Sequence, residues 1–142
     1  MKIFCLLAIA ALLSAACDPD LNTYVKITGG NPPTFVLSGV GTCNGLRIYE
    51  QGYRGDLNDK SHMMWAIAPE GEGNGKSLNE VGGITYGVIP KGYKQVIPDG
   101  GVSPVALSEG ERYRYYVPGS VSRPSDGYFE IHNNKAEIVE KK

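Results

Sequence analysis

A small all-β protein, an antiparallel β-sandwich, is the fold class that this sequence predicts, and three observations predict it. Its 142 residues include nineteen glycines, nine prolines and nine tyrosines, a composition of many turns and aromatic strands. Eight or nine short segments alternate apolar and polar residues, as half-buried strands do. Beyond the first seventeen residues, no stretch carries the apolar spacing of an amphipathic helix.

The first residues are of another kind. Met1-Lys2 is a short positive start, and Ile3 to Ala16 is an uncharged, mostly apolar run. Fourteen residues of helix span about 21 Å, short of the roughly 30 Å hydrocarbon core of a bilayer. Residues 1–16 therefore read as an export signal rather than a membrane span, and they drop out of the fold argument.

The run closes on Leu13-Ser14-Ala15-Ala16-Cys17. This exit resembles the lipobox of bacterial lipoproteins, in which small residues precede a cysteine that is lipidated and becomes the new N-terminus. Ala15, Ala16 and Cys17 fit the pattern. Ser14 stands where that family usually has leucine, and Leu13 lies one step further out. The resemblance implies a diacylglyceryl thioether on Cys17, usually with an amide-linked acyl chain, and hence a membrane anchor in the cell envelope. More than one chain holds a protein stably, since each buried methylene contributes about 0.8 kcal/mol. Asp18 resembles an inner-membrane retention signal of enteric bacteria; because that sorting rule differs between phyla, inner and outer membranes both stay open. Residues 17–22 form the lipidated start and a short tether, reaching at most about 20 Å when extended.

Ser14-Ala15-Ala16 also fits the small-x-small site of an ordinary secreted protein. The cysteines separate the two readings. Cys5 leaves with the signal, so Cys17 and Cys43 remain. A lipidated Cys17 leaves Cys43 as an odd thiol; an unlipidated one permits a Cys17–Cys43 disulfide in a secreted glycan- or protein-binding domain.

The remaining 126 residues, 17–142, carry thirteen Lys and Arg against fifteen Asp and Glu and suit one domain, 23–142 after the tether. Such a slightly acidic chain is poorly matched to nucleic acid, which basic patches attract.

In order, Thr23–Thr28 alternates as a first strand and ends at Gly29-Gly30-Asn31-Pro32-Pro33. Thr34–Ser38 is a second, with Phe35 and Leu37 on one face. Gly39–Gly45 reads as a turn, and Leu46–Glu50 as a third strand with Leu46 and Ile48 inward and Arg47 and Tyr49 outward. Gln51–Ser61 is a polar loop. His62–Ala68 is the most apolar strand, with Met63, Trp65 and Ile67 on one face and Trp65 as core anchor. Pro69–Gly83 is a long irregular stretch. Ile84–Ile89 and Tyr93–Ile97 flank a Pro-Lys-Gly turn, Tyr113–Val117 alternates again, and Tyr128–Ile131 with Lys135–Val139 forms a hairpin. Asn133-Asn134 at its tip suits a type I′ turn, because asparagine tolerates positive φ.

Leu107-Ser108-Glu109-Gly110-Glu111-Arg112-Tyr113 is similar to the Leu-x-x-Gly-x-x-Tyr corner of fibronectin type III and immunoglobulin-like domains. The resemblance implies such a sandwich, with the Tyr113 hydroxyl bonded back to upstream backbone. No Cys–Trp–Cys spacing accompanies it.

Catalytic motifs are weak. Gly39-Val40-Gly41-Thr42-Cys43-Asn44-Gly45 has its third glycine one residue late for a dinucleotide loop and leads into a strand. Gly71–Ser77 resembles a phosphate loop, but Glu70 occupies the position of its first glycine. His62 and His132 have no ligand spacing between them. Asp56-Leu57-Asn58-Asp59 lacks the glycine and distal glutamate of a calcium loop. Cys43 has no Lys, Arg or His within three residues to activate it, and no Gly-x-Ser-x-Gly elbow is present. The reading is a non-enzymatic binding or structural module without cofactor; a small hydrolase ranks third.

The tyrosines carry the interaction hypothesis. Tyr49, Tyr53, Tyr86, Tyr93, Tyr116 and Tyr128 are too many for one small core beside Trp65, Phe35 and Phe129, so some should present rings to an envelope protein or a glycan. Tyr49, Tyr53 and Tyr116 with Arg47 and Arg114 are the candidate binding residues.

Overall fold

Among the described residues, alternation becomes strand in nine places: β1 (Thr23–Thr28), β2 (Thr34–Gly39), β3 (Leu46–Tyr49), β4 (Met63–Pro69), β5 (Gly83–Thr85), β6 (Tyr93–Ile97), β7 (Arg112–Val117), β8 (Ser125–His132) and β9 (Lys135–Val139). The computed structural model describes residues 19–141; the expected export signal, 1–16, and Cys17, the expected site of lipidation, lie outside the described residues. One helical turn, α1 (Leu78–Val81), and a 3₁₀ turn at Lys60–His62 complete the elements. No helix among the described residues is long and apolar enough to cross a membrane.

The strands form two antiparallel sheets, β1-β2-β5 and β6-β4-β3-β7-β8-β9, packed face to face as a sandwich. The inward residues of each fill the space between them. Phe35 from the small sheet lies 5.3 Å from Phe129, ring edge to face, and 5.9 Å from Tyr115. Leu46, Ile48, Trp65, Val117 and Ile131 are fully buried in the same core. The anchor role expected of Trp65 holds: its ring lies 5.4 Å from that of Tyr86, and Nε1 donates to Gln95 Oε1 at 3.0 Å.

Two local expectations are met. The Tyr113 hydroxyl accepts a hydrogen bond from the Ser108 amide at 2.8 Å, closing the corner before β7. Asn133 and Asn134 have φ of 50° and 59°, as a type I′ hairpin turn requires.

Others need correction. The segment Ile84–Ile89 is strand only to Thr85, because Gly87 adopts a φ of 81° and the Val88 amide turns back to the Thr85 carbonyl. Met63 does not share the inward face of Trp65 and Ile67. The pairing of β3 with β4 slips at Tyr49–Met63, so Met64 packs on the core instead and Met63 faces outward. β8 runs the full length of β7 rather than only Tyr128–Ile131. In the stretch 69–83, Ser77 caps α1 by accepting from the Glu80 amide, and Leu78 plugs the core.

Candidate functional site

The outer face of the six-stranded sheet, away from the small sheet, holds all five residues that the sequence marks for binding. Pairing puts Arg47 opposite Tyr116, and Tyr49 opposite Arg114, across β3 and β7. The Arg47 guanidinium lies over the Tyr116 ring at 5.4 Å, and that of Arg114 lies 5.9 Å from the rings of both Tyr49 and Tyr128. Tyr53 stacks on Tyr49 at 5.6 Å and on His62 at 4.3 Å.

The structure brings them together, yet not as an open surface. Tyr49 is fully buried and Arg114 is only 6% exposed. What covers them is the segment between β3 and β4, read from sequence as a free polar loop. It folds back over the face. Tyr49 donates through its hydroxyl to the Leu57 carbonyl at 2.6 Å, Arg47 Nη1 donates to the same oxygen at 3.0 Å, and Arg114 Nη1 donates to the Gly55 carbonyl at 3.0 Å. Three outward side chains thus donate to backbone carbonyls of the strap and tie it to the sheet. The expected surface role of Tyr49 and Arg114 is therefore corrected: both face the strap, not a partner. Tyr53 and Tyr116 remain half-buried.

Arg114 also donates Nε and Nη2 to the two carboxylate oxygens of Asp126, each at 2.8 Å, a bidentate fork of a strength that single contacts lack. That carboxylate raises the Arg114 pKa. At the strap's end, Asp59 caps the 3₁₀ turn by accepting from the Ser61 amide at 3.0 Å, and His62 pairs with Glu50. The Glu50 carboxylate holds the His62 imidazole above the usual histidine range, and Glu130 does the same for His132.

A cleft of about 310 Å³ opens beside the strap. Its polar walls are Arg47, Lys60, Asn44 and Asn58, and its apolar floor includes Met63, Ala66 and Ile97. β3 approaches β4 closely here through Gly45, whose φ is 130° and whose added Cβ would sit 2.2 Å from the Ile67 carbonyl. Only glycine fits. Neither Arg47 nor Lys60 forms an ion pair among the described residues.

Cys43 is fully buried, and desolvation pushes its thiol pKa up, which disfavours the reactive thiolate. Tyr93 sits against it, accepting from the Lys76 amide at 3.1 Å and donating to the Cys43 carbonyl at 2.8 Å. Among the described residues, no three His, Cys, Asp or Glu side chains are grouped to hold a metal ion.

Lys60 carries no mark in the sequence, and Asn44 and Asn58 stand there only in motifs set aside as a dinucleotide loop and a calcium loop. They come from a turn and a polar loop, and only the fold-back of the strap sets them around one cavity. Comparison with protein-family models, curated proteins and solved structures finds no match.

Proposed function

We propose that the chain is a bacterial envelope lipoprotein, anchored to the membrane through Cys17, whose sandwich is a non-enzymatic binding module of the fibronectin type III or immunoglobulin-like kind. The observation that carries the binding role is the cleft beside Arg47, a cavity with cationic walls and an apolar floor on an otherwise acidic chain. A concave site of mixed lining on a rigid sheet is where a small ligand binds by default.

Two features support the finer fold. The tyrosine corner is formed at Tyr113. The sheet order β1-β2-β5 matches strands A, B and E of the immunoglobulin arrangement, and β3-β7-β8 matches C, F and G. The departure is β4, which joins β3 rather than β5, with β6 and β9 as additions.

Burial of Cys43 inside the core supports the lipidated reading over a Cys17–Cys43 bridge. The intact mass of the natively processed protein tests it. We expect a chain starting at Cys17 plus acyl groups, with one alkylatable thiol, Cys43, after denaturation without reductant. A mass without acyl chains, or a thiol that appears only on reduction, overturns the anchor. The binding role is tested by native mass spectrometry after incubation with a filtered small-molecule extract of the envelope. An added mass that Arg47→Ala abolishes is expected; no adduct on the unaltered protein counts against it.

A further inference from the structure

The inference deepens the binding reading and rests on it: we propose that the cleft beside Arg47 takes a carboxylate borne on a short apolar body. Among the described residues, the hydrogen bonds of Arg47 leave from Nη1, to the Leu57 carbonyl at 3.0 Å and the Asn58 side-chain oxygen at 3.5 Å. The rest of its donor fork stays available. The Asn44 oxygen already accepts from the Thr42 hydroxyl at 3.2 Å and the Gly75 amide at 3.4 Å, which leaves its amide nitrogen to donate. Lys60 adds a second cation. The side chains around the cavity thus have donors to offer, the Asn44 oxygen is engaged twice and that of Asn58 once, at 3.5 Å, and no carboxylate is among them.

That inventory decides between ligand classes. A neutral sugar presents several hydroxyl donors, and as side-chain acceptor the lining offers them little beyond the spare lone pair of Asn58 Oδ1. A phosphate dianion would suit the two cations but leave the apolar side of the cleft, Met63, Ala66 and Ile97, without a partner. A monoanion with an apolar tail matches both halves. A volume of about 310 Å³ sits at the small end of ligand pockets, so the body is short.

The Arg47 guanidinium, and the backbone that carries Lys60, are held in place before any ligand arrives. Arg47 is fixed by the Leu57 carbonyl on one side and by the Tyr116 ring at 5.4 Å on its face. Lys60 opens the 3₁₀ turn that Asp59 caps and that the stack of His62 on Tyr53 clamps. A pre-set guanidinium loses less freedom on binding and suits the two oxygens of a carboxylate.

The test is a titration of the labelled, natively processed protein by two-dimensional amide NMR. Hexanoate is the probe and hexanol its uncharged counterpart, with N-acetyl-leucine and glucuronate as further arms. Hexanoate should shift the amides of Ala66, Ala68 and Ile97 and bind at least about tenfold more tightly than hexanol. Arg47→Met should weaken hexanoate by about tenfold, and Lys60→Gln by about threefold, with Trp65 fluorescence unchanged. Should Arg47→Met fail to fold, Lys60→Gln decides alone, because Lys60 is exposed and bonds to nothing described. Shifts with N-acetyl-leucine to match hexanoate support the proposal and make a peptide C-terminus the source. Glucuronate binding tighter than hexanoate overturns the apolar body. Equal affinity for hexanoate and hexanol overturns the carboxylate while leaving the cleft a binding site. If no probe and no envelope extract moves a cleft resonance, the binding reading itself fails.

Discussion

The two faces of β7 are both largely shut off from water, but by different physics. Toward the small sheet it sends Tyr113, Tyr115 and Val117 into a core with Phe35 and Phe129. Toward the strap it sends Arg112, Arg114 and Tyr116, which meet Glu130, Asp126 and Arg47. The inner face is closed by apolar burial, which is non-directional and insensitive to pH. The outer face is closed by forks and hydrogen bonds to carbonyls, which are directional. The difference teaches where variation is tolerated. The inner face fixes that the chain folds, and the outer face fixes the shape of the strap and so of the cleft.

The largest expected effect breaks the inner face. Phe129→Ala removes a fully buried ring from the centre of the core and should cost about 3–5 kcal/mol in urea unfolding. A loss near zero would mean that the two sheets are not packed through it. Next is the outer fork. Asp126→Ala leaves the nearly buried Arg114 without its partner and should cost about 2 kcal/mol, reduced from a fully buried pair because the Asp126 side chain is 27% exposed. Arg114→Lys should not restore it, since an ammonium cannot make the fork, and limited proteolysis should then cut within residues 51–61. Uncut strap in both variants would show that Arg114 does not hold it.

Tyr113→Phe is smaller still. It strips the acceptor of the Ser108 amide and should cost about 1 kcal/mol, with the inner packing of the ring retained. An unchanged stability would make the corner ornamental. The mildest effect is with pH. Glu50 raises the His62 pKa above its ordinary value of 6.5, so the protonated pair adds stability that is complete below 6.5 and lost as pH rises through the folded value. Glu130, held low by His132 and then Arg112, acts in the opposite sense, and its contribution is lost on acidification. The His62 ring resonance should therefore titrate above 6.5 and fall with Glu50→Gln. A midpoint at or below that value in the unaltered protein would show that the strap end is untied.

Most strands were legible because one face of each is buried, and burial writes a two-residue period into the sequence. Thr23–Thr28, Tyr93–Ile97 and Lys135–Val139 stand in the structure with the bounds that alternation gives them. Alternation misled at Met63, where a bulge moves the inward position to Met64, and at Tyr86–Ile89, where the left-handed Gly87 ends a strand that still looks apolar. The candidate site was half legible. Arg47, Tyr49, Arg114 and Tyr116 announce a polar-aromatic outer face, but no period records that residues 51–61 return to cover it.

The all-β class, the turn at Asn133-Asn134 and the corner at Tyr113 follow from local sequence alone, since each depends on neighbours within a few residues. What only the tertiary structure decided is which tyrosines are spent on structure, and that Arg47, Lys60, Asn44 and Asn58 share one cavity. The physical reason is range. Strand and turn preferences are local, whereas a buried guanidinium or a donor-lined cleft exists only once segments far apart in the chain satisfy one another's polar groups.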